Sequence, residues 1–301
     1  MARPRRSALY MPGSNARALE KARSLPADVL LLDLEDAVAP AEKVAARALV
    51  MAEIAKGGFA PREVVLRVNG ADTPWGEADL AAAAKASGTL DAVLLPKVES
   101  AAMLDEAAAK LDAAGAPAGL ALWAMMETPR GIVAANEIAA HPRLSVLVMG
   151  TNDLVTDMQA EFRADRMPVI GALTACVLAA RVHDRVVLDG VYNAFRDAEG
   201  LQEECEQGRS LGMDGKTLIH PAQLATANRV FAPSADAVAL AQRQLAAYEA
   251  AAESGEGVAV LDGKIVENLH AAAARRLLAR ANAIAALEAA IETPMAAGSV
   301  A

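Results

Sequence analysis

Aromatic residues make up only 3% of the 301-residue chain, and cysteine occurs just twice. With so few rings, stacking surfaces for single-stranded nucleic acid or glycans are scarce, and the few aromatics are read as packing. Cys176 and Cys205 show no paired spacing of the kind that zinc, redox or disulfide frameworks use. A reducing, cytoplasmic setting is the expectation. No acidic or basic block stands out: 29 Lys and Arg face 38 Asp and Glu for a net charge of −9, so nucleic acid is not an expected partner. The longest apolar stretches, Gly119–Met126 and Leu144–Met149, fall far short of the roughly 18 residues a membrane span needs. The apolar run Ala8–Met11 behind the basic start stops at Pro12-Gly13, too short for the apolar core of a signal peptide.

What is present is alternation. Between residues 7 and 230, short apolar runs alternate with longer Ala-rich segments of helical period, the pattern of β-α units on a parallel sheet. Eight strands are expected: Ser7–Tyr10, Val29–Leu34, Glu63–Val68, Ala92–Pro96, Leu120–Met126, Ser145–Met149, Val186–Asp189 and Lys216–Ile219. Most are too uniformly apolar to alternate, as strands buried on both faces are. Asn15 can cap a helix Ala16–Ser24, Pro40 sits at the start of Ala41–Lys56, and Ser100 can cap Ala101–Ala114. These units fit an α/β fold of the (β/α)8 TIM-barrel type over residues 1–232. A doubly wound open sheet is the second choice, weakened by the lack of a GxGxxG turn after the first strand. Residues 233–301 form a C-terminal appendage: a helix Ala235–Glu253, a small hairpin Val258–Lys264 around Asp262-Gly263, and a last helix from about Leu269 to Ile291.

In such a barrel the strand C-termini build the active site. Here the second strand ends in Asp33-Leu34-Glu35-Asp36, the third in Arg67-Val68-Asn69, the fourth in Pro96-Lys97, the fifth in Glu127-Thr128 and the sixth in Gly150-Thr151-Asn152-Asp153. A single carboxylate at a strand end is most often a helix cap; five charged ends in register are not so easily explained. At least four carboxylates against one Arg and one Lys would repel one another in a partly buried mouth unless a cation neutralised them. Magnesium suits oxygen ligands and a site without Cys or clustered His. The histidines His141, His183, His220 and His270 share no ligand spacing. A Schiff-base role for Lys97 is disfavoured because acidic neighbours raise a lysine pKa.

Six segments carry a resemblance: Arg6–Asn15, Leu32–Val38, Val65–Gly70, Leu95–Glu99, Glu127–Gly131 and Gly212–Pro221. In order and spanning nearly the whole chain, they resemble the citrate lyase beta-subunit and malyl-CoA lyase family. The resemblance implies a Mg²⁺-dependent carbon–carbon lyase (Mn²⁺ a possible substitute) on a (β/α)8 barrel, cleaving a CoA thioester such as malyl-CoA or citramalyl-CoA to a short acyl-CoA and glyoxylate or pyruvate. It places the metal on Glu127 and Asp153, the substrate on Arg67, and an acidic motif beside the metal on Glu35 and Asp36. It also implies a homo-oligomer, trimer or hexamer, in which the C-terminal segment covers a neighbouring subunit's site. There Glu267, in Gly263–Asn268, stands where many relatives have a catalytic Asp, and the other reading of Glu267 is a helix cap. Pro12–Asn15, with Ser14, could hold a CoA phosphate on backbone amides, or be a plain turn, and Lys97 is a further candidate for binding substrate. Two other activities are compatible: a malyl-CoA thioesterase, in which the lid carboxylate activates water, and a citrate lyase beta subunit acting on a carrier-protein-bound thioester.

Overall fold

Eight parallel strands follow one another around a closed barrel in chain order: β1 (Ser7–Pro12), β2 (Val29–Asp33), β3 (Glu63–Arg67), β4 (Ala92–Leu95), β5 (Ala121–Met126), β6 (Leu144–Met149), β7 (Val186–Asp189) and β8 (Gly215–Leu218). Pairing of Ala8 on β1 with Thr217 on β8 closes the ring, which excludes the open sheet. The computed structural model describes residues 3–86, 88–255 and 257–293. It divides the chain into two compact units, one of them Arg5–Phe231 and the other the residues before Arg5 together with those from Ala232 onward.

Strand alternation sorts the apolar residues of the barrel into two cores. Ala8, Val29, Leu31, Val65, Leu94, Trp123, Val148 and Leu188 fill the inside, while Leu9, Leu30, Leu66, Leu122 and Leu147 pack outward beneath the helices. Each fully buried Leu contributes about 1.5–3 kcal/mol, and the double burial accounts for the continuous apolar reading of these strands. At the N-terminal end of the barrel, Arg5 Nε and Nη2 donate to the two oxygens of Glu63 at 2.6 and 2.7 Å, with the guanidinium over the Trp123 ring.

The helices start where their caps place them. Asn15 accepts from the Ala18 N–H and Thr128 from the Gly131 N–H. Ser100 occupies the N-cap position of Ala101–Ala113 but its side chain makes no capping hydrogen bond. Pro40 opens a 3-10 turn, Pro40–Glu42, and the α-helix proper begins only at Lys43. In the second unit, helix Ala235–Glu253 is followed by the antiparallel pair β9 (Ala259–Leu261) and β10 (Lys264–Val266), then by helix Asn268–Glu292. Ala251, Ala259 and Val266 form its small core. Among the described residues no helix is long and apolar enough to cross a membrane.

Candidate active site at the barrel mouth

On β1, β2, β3 and β5 the inward positions turn from apolar to polar at the C-terminal end. Tyr10 follows Ala8 by two residues, Asp33 follows Leu31, Arg67 follows Val65, and Glu127 follows Met125. A period of two therefore sets these four side chains as one polar layer on top of an apolar plug. They line a cavity of about 290 Å³ together with Asp36, Met149, Asn152, Asp153, Asn193 and Thr217, among others.

Arg67 is the centre of one wall. Asp33 and Arg67 are register partners across β2 and β3, and the pair is bidentate: Arg67 Nε donates to Asp33 Oδ1 at 2.7 Å and Nη2 to Asp33 Oδ2 at 2.6 Å. Asp33 also accepts from the backbone N–H groups of Glu35 and Ala37 at 2.9 and 3.2 Å, so the same carboxylate shapes the turn that follows. Arg67 Nη1 donates to Asp36 Oδ2 at 3.1 Å and lies 2.7 Å from Glu35 Oε2. That Glu35 oxygen is buried and has no hydrogen-bond partner, so its contact with Arg67 is an ion pair only. The Arg67 guanidinium sits 4.7 Å above the Tyr10 ring. Burial, with Asp36, Glu127 and Asp33 adding to it and Arg67 opposing, lifts the Glu35 carboxyl from its ordinary 4.5 to about 7.

The opposite wall holds the two carboxylates expected to bind metal. Glu127, just past β5, is buried, and its Oε1 accepts from the Lys97 backbone N–H at 2.8 Å. Lys97 reaches that geometry with a left-handed φ of 48°, a conformation in which few non-glycine residues rest. Gly150 makes room: a Cβ there would stand 2.4 Å from Glu127 Cβ and 2.5 Å from its Oε2. Burial and the nearby Asp153 outweigh the Lys97 hydrogen bond and raise the Glu127 carboxyl from 4.5 to about 7. Asp153, in the first turn of helix Thr151–Asp157, is half exposed, and its Oδ2 lies 3.7 Å from Lys97 Nζ. Burial opposes the charge on Lys97, but Asp153, Glu127, Glu35 and Asp36 prevail and raise its pKa, which keeps it a cation and not a nucleophile.

Among the described residues, no group of three or more His, Cys, Asp or Glu could hold a metal by protein ligands alone. Two carboxylates, one of them buried, are instead what Mg²⁺ takes when water and substrate oxygens complete its shell. The donor set fits.

Ser14 and Glu267 lie elsewhere, while Glu35 and Lys97 touch lining residues, Arg67 and Asp153, without lining the cavity themselves. Ser14 is exposed in the turn after β1 and does not line the cavity. Its neighbour Gly13 is needed for close approach, because a Cβ there would be 2.5 Å from the Asp33 carbonyl oxygen. Glu267 belongs to the second unit and occupies the N-cap position of helix Asn268–Glu292: its N–H donates to His270 Nδ1 at 3.2 Å, and its backbone carbonyl accepts from the His270 N–H at 2.9 Å. Sequence reasoning gave no role to Asp33, Tyr10 or Gly150. Asp33 could have been found from strand alignment, since it and Arg67 end adjacent strands, and Tyr10 from its parity two residues past Ala8. Gly150 carries no sequence signal beyond its place before Asp153.

The profile of the family described as HpcH/HpaI aldolase/citrate lyase matches residues 6–221. Proteins named (3S)-malyl-CoA thioesterase from strains of Cereibacter sphaeroides are 53–56% identical, over 95–96% of this chain and 97–98% of theirs. A protein of the same species named L-malyl-CoA/beta-methylmalyl-CoA lyase is 35% identical, over 88% of this chain and 91% of its own. Among solved structures, protein CitE from Mycobacterium tuberculosis in complex with magnesium, acetoacetate and coenzyme A superposes with a TM-score of 0.74 and 32% identity, covering 92% of this chain and 97% of that one. These similarities correct the carbon–carbon lyase reading of the sequence. All six segments lie within residues 6–221, the stretch that the family model matches, so they mark the family and not the bond broken; the higher identity is to proteins named thioesterase.

Proposed function

The chain belongs to the HpcH/HpaI aldolase/citrate lyase family, and from that premise we propose that it is a thioesterase hydrolysing a malyl-CoA-type thioester to malate and free CoA. The observation that carries this reading is the 53–56% identity, over nearly the full length of both chains, to proteins named (3S)-malyl-CoA thioesterase. The cavity supports it: Glu127, Asp153 and the buried Arg67 line it, and Glu35, with a carboxyl lifted to about 7, pairs with Arg67 at 2.7 Å.

In this proposal Glu127 and Asp153 hold Mg²⁺, or Mn²⁺ in its place, which when bound supplies positive charge to the malyl carboxylate and hydroxyl. The chain's own groups do the rest. Arg67, fixed by Asp33, offers positive charge to the negative charge that builds up at the thioester carbonyl. Glu35 takes a proton from the attacking water, a role suited to a pKa of about 7. Water oxygen bonds to the carbonyl carbon, the carbonyl π pair moves onto oxygen, and the returning pair expels the CoA sulfur as thiolate. Asp36, exposed beside Arg67, helps hold the guanidinium in place. Lys97 contributes through its backbone N–H, which orients Glu127, and its ammonium faces Asp153.

The proposal further includes a homo-oligomer, trimer or hexamer, in which the C-terminal unit serves as a lid on a neighbouring subunit, and a cytoplasmic location in which the buried thiols Cys176 and Cys205 stay reduced. The test of function is product analysis. Incubation with Mg²⁺ and malyl-CoA should release CoA thiol and malate in equal amounts. Appearance of glyoxylate with acetyl-CoA, and no malate, would overturn the proposal.

A further inference from the structure

The stabilising partner of the thioester oxygen can be sought by accounting for the donors that line the cavity. Arg67 already donates through Nε, Nη1 and Nη2 to Asp33 and Asp36. The amides of Asn152 and Asn193 each donate one N–H to the other's oxygen, at 3.2 and 2.9 Å. Thr217 Oγ1 donates to the Asp189 carbonyl at 3.0 Å. Among the hydroxyls that line the cavity, those of Tyr10 and Thr151 are not committed to a strong acceptor.

They differ in place. Thr151 opens helix Thr151–Asp157 on the wall that carries Asp153, with Gly190 against its side chain. Tyr10 stands on β1, next to β2 in the barrel, and its ring lies beneath the Arg67 guanidinium. Its hydroxyl donates only to the Met125 sulfur, at 3.4 Å. A thioether is a weak acceptor, so a carbonyl oxygen entering the cavity would take that proton at little cost. Burial raises the phenol pKa further above its ordinary value, and the O–H stays protonated at any working pH.

We propose that Tyr10 is a catalytic residue whose hydroxyl donates a hydrogen bond to the thioester carbonyl oxygen and to the oxyanion formed from it when water adds. The inference rests on the thioesterase reading. As the π pair moves onto oxygen, the Tyr10 O–H leaves the Met125 sulfur for the new negative charge, with Arg67 stacked on the same ring. When the pair returns and the carbon–sulfur bond breaks, the phenol keeps its proton and returns to the sulfur. No proton is transferred by Tyr10, and the balance of the reaction is unchanged.

The experiment begins with the wild-type protein and Mg²⁺ and malyl-CoA. If no CoA and malate are released, the thioesterase reading falls, and the assignment of Tyr10 with it. If wild type hydrolyses, Tyr10→Phe should lower kcat by about 10²-fold, the scale for losing one oxyanion donor, while Thr151→Val stays within about threefold. Tyr10→Phe should also weaken binding of a non-hydrolysable ketone analogue (sulfur replaced by methylene) and leave unchanged the affinity for a CoA thioether lacking the carbonyl. Should Tyr10→Phe fail to fold, wild-type protein labelled with 3-fluorotyrosine gives the same answer, because the chain holds only three tyrosines. The Tyr10 fluorine signal, assigned after removing Tyr192 and Tyr248, should shift with the ketone and not with the thioether. A Tyr10→Phe enzyme as fast as wild type, a Thr151→Val enzyme that alone loses rate, or a Tyr10 signal that ignores the ketone overturns the assignment and leaves the thioesterase reading intact.

Discussion

Replacing Asp33 tests how the site is held together. Its carboxylate is 1% exposed and accepts four hydrogen bonds, two from Arg67 at 2.6 and 2.7 Å and two from the backbone at Glu35 and Ala37. Removing one partner of a buried ion pair typically costs about 3–5 kcal/mol. Arg67 keeps Glu35 at 2.7 Å and Asp36 at 3.1 Å, so Asp33→Ala should fall at the lower end, about 3 kcal/mol. Asp33→Asn preserves size but turns one acceptor into a donor facing the guanidinium, and should lose about as much. Urea unfolding at one fixed pH would show the loss as a lower midpoint with an unchanged slope. Activity should fall at least 10²-fold in both variants, because Arg67 is then free to swing toward Glu35 and Asp36. A loss of under about 1 kcal/mol, with hydrolysis intact, would refute the idea that Asp33 sets the position of Arg67.

With divalent ions removed by chelator, stability should decrease as pH rises from about 4.5 to about 7. Glu35 and Glu127 keep protons in the folded protein that the unfolded chain has already released; adding Mg²⁺ should reverse the trend, and thermal melts against pH with and without Mg²⁺ check both. Gly150→Ala drives a methyl into Glu127, 2.4 Å from its Cβ, and should weaken Mg²⁺ binding in calorimetric titration by at least tenfold. Glu267→Ala keeps the backbone bonds to His270 and should change stability by under about 0.5 kcal/mol in thermal melts. Its hydrolysis rate should stay near wild type if Glu35 activates water, whereas a 10²–10⁴-fold loss would assign that role to the lid carboxylate.

The barrel was legible because each strand buries both faces: a continuous apolar run such as Val29–Leu32 has few alternative readings when helices with caps follow at regular spacing. Less legible was where each element ends, as at Pro40, whose ring suits a helix start while the chain winds first through a 3-10 turn. In the site, charge was the visible signal, and it led to Arg67, Glu35, Asp36, Glu127 and Asp153. Tyr10 escaped because an aromatic inside a barrel looks like packing; only the structure shows it one inward step past Ala8, with the Arg67 guanidinium over its ring.

The same limit explains why hydrolysis was not separable from carbon–carbon cleavage. Both reactions anchor a malyl carboxylate and hydroxyl beside two acidic ligands, and both stabilise negative charge on the thioester oxygen. They differ in what reaches the substrate next: in hydrolysis, a water with a base beside it at the carbonyl carbon. A water site leaves no motif in sequence, since it is made by the space between side chains drawn from separate strands. In this protein the geometry that could form it is Glu35, near neutral pKa and with one buried oxygen lacking a hydrogen bond, beside Arg67. Glu35→Gln therefore discriminates between the two kinds of site: as the base for water it should cost 10²–10⁴-fold in hydrolysis while leaving Mg²⁺ affinity within about threefold. If the variant hydrolyses malyl-CoA at the wild-type rate, water is activated from elsewhere, and Asp36 and Glu267 are the carboxylates left to supply the base.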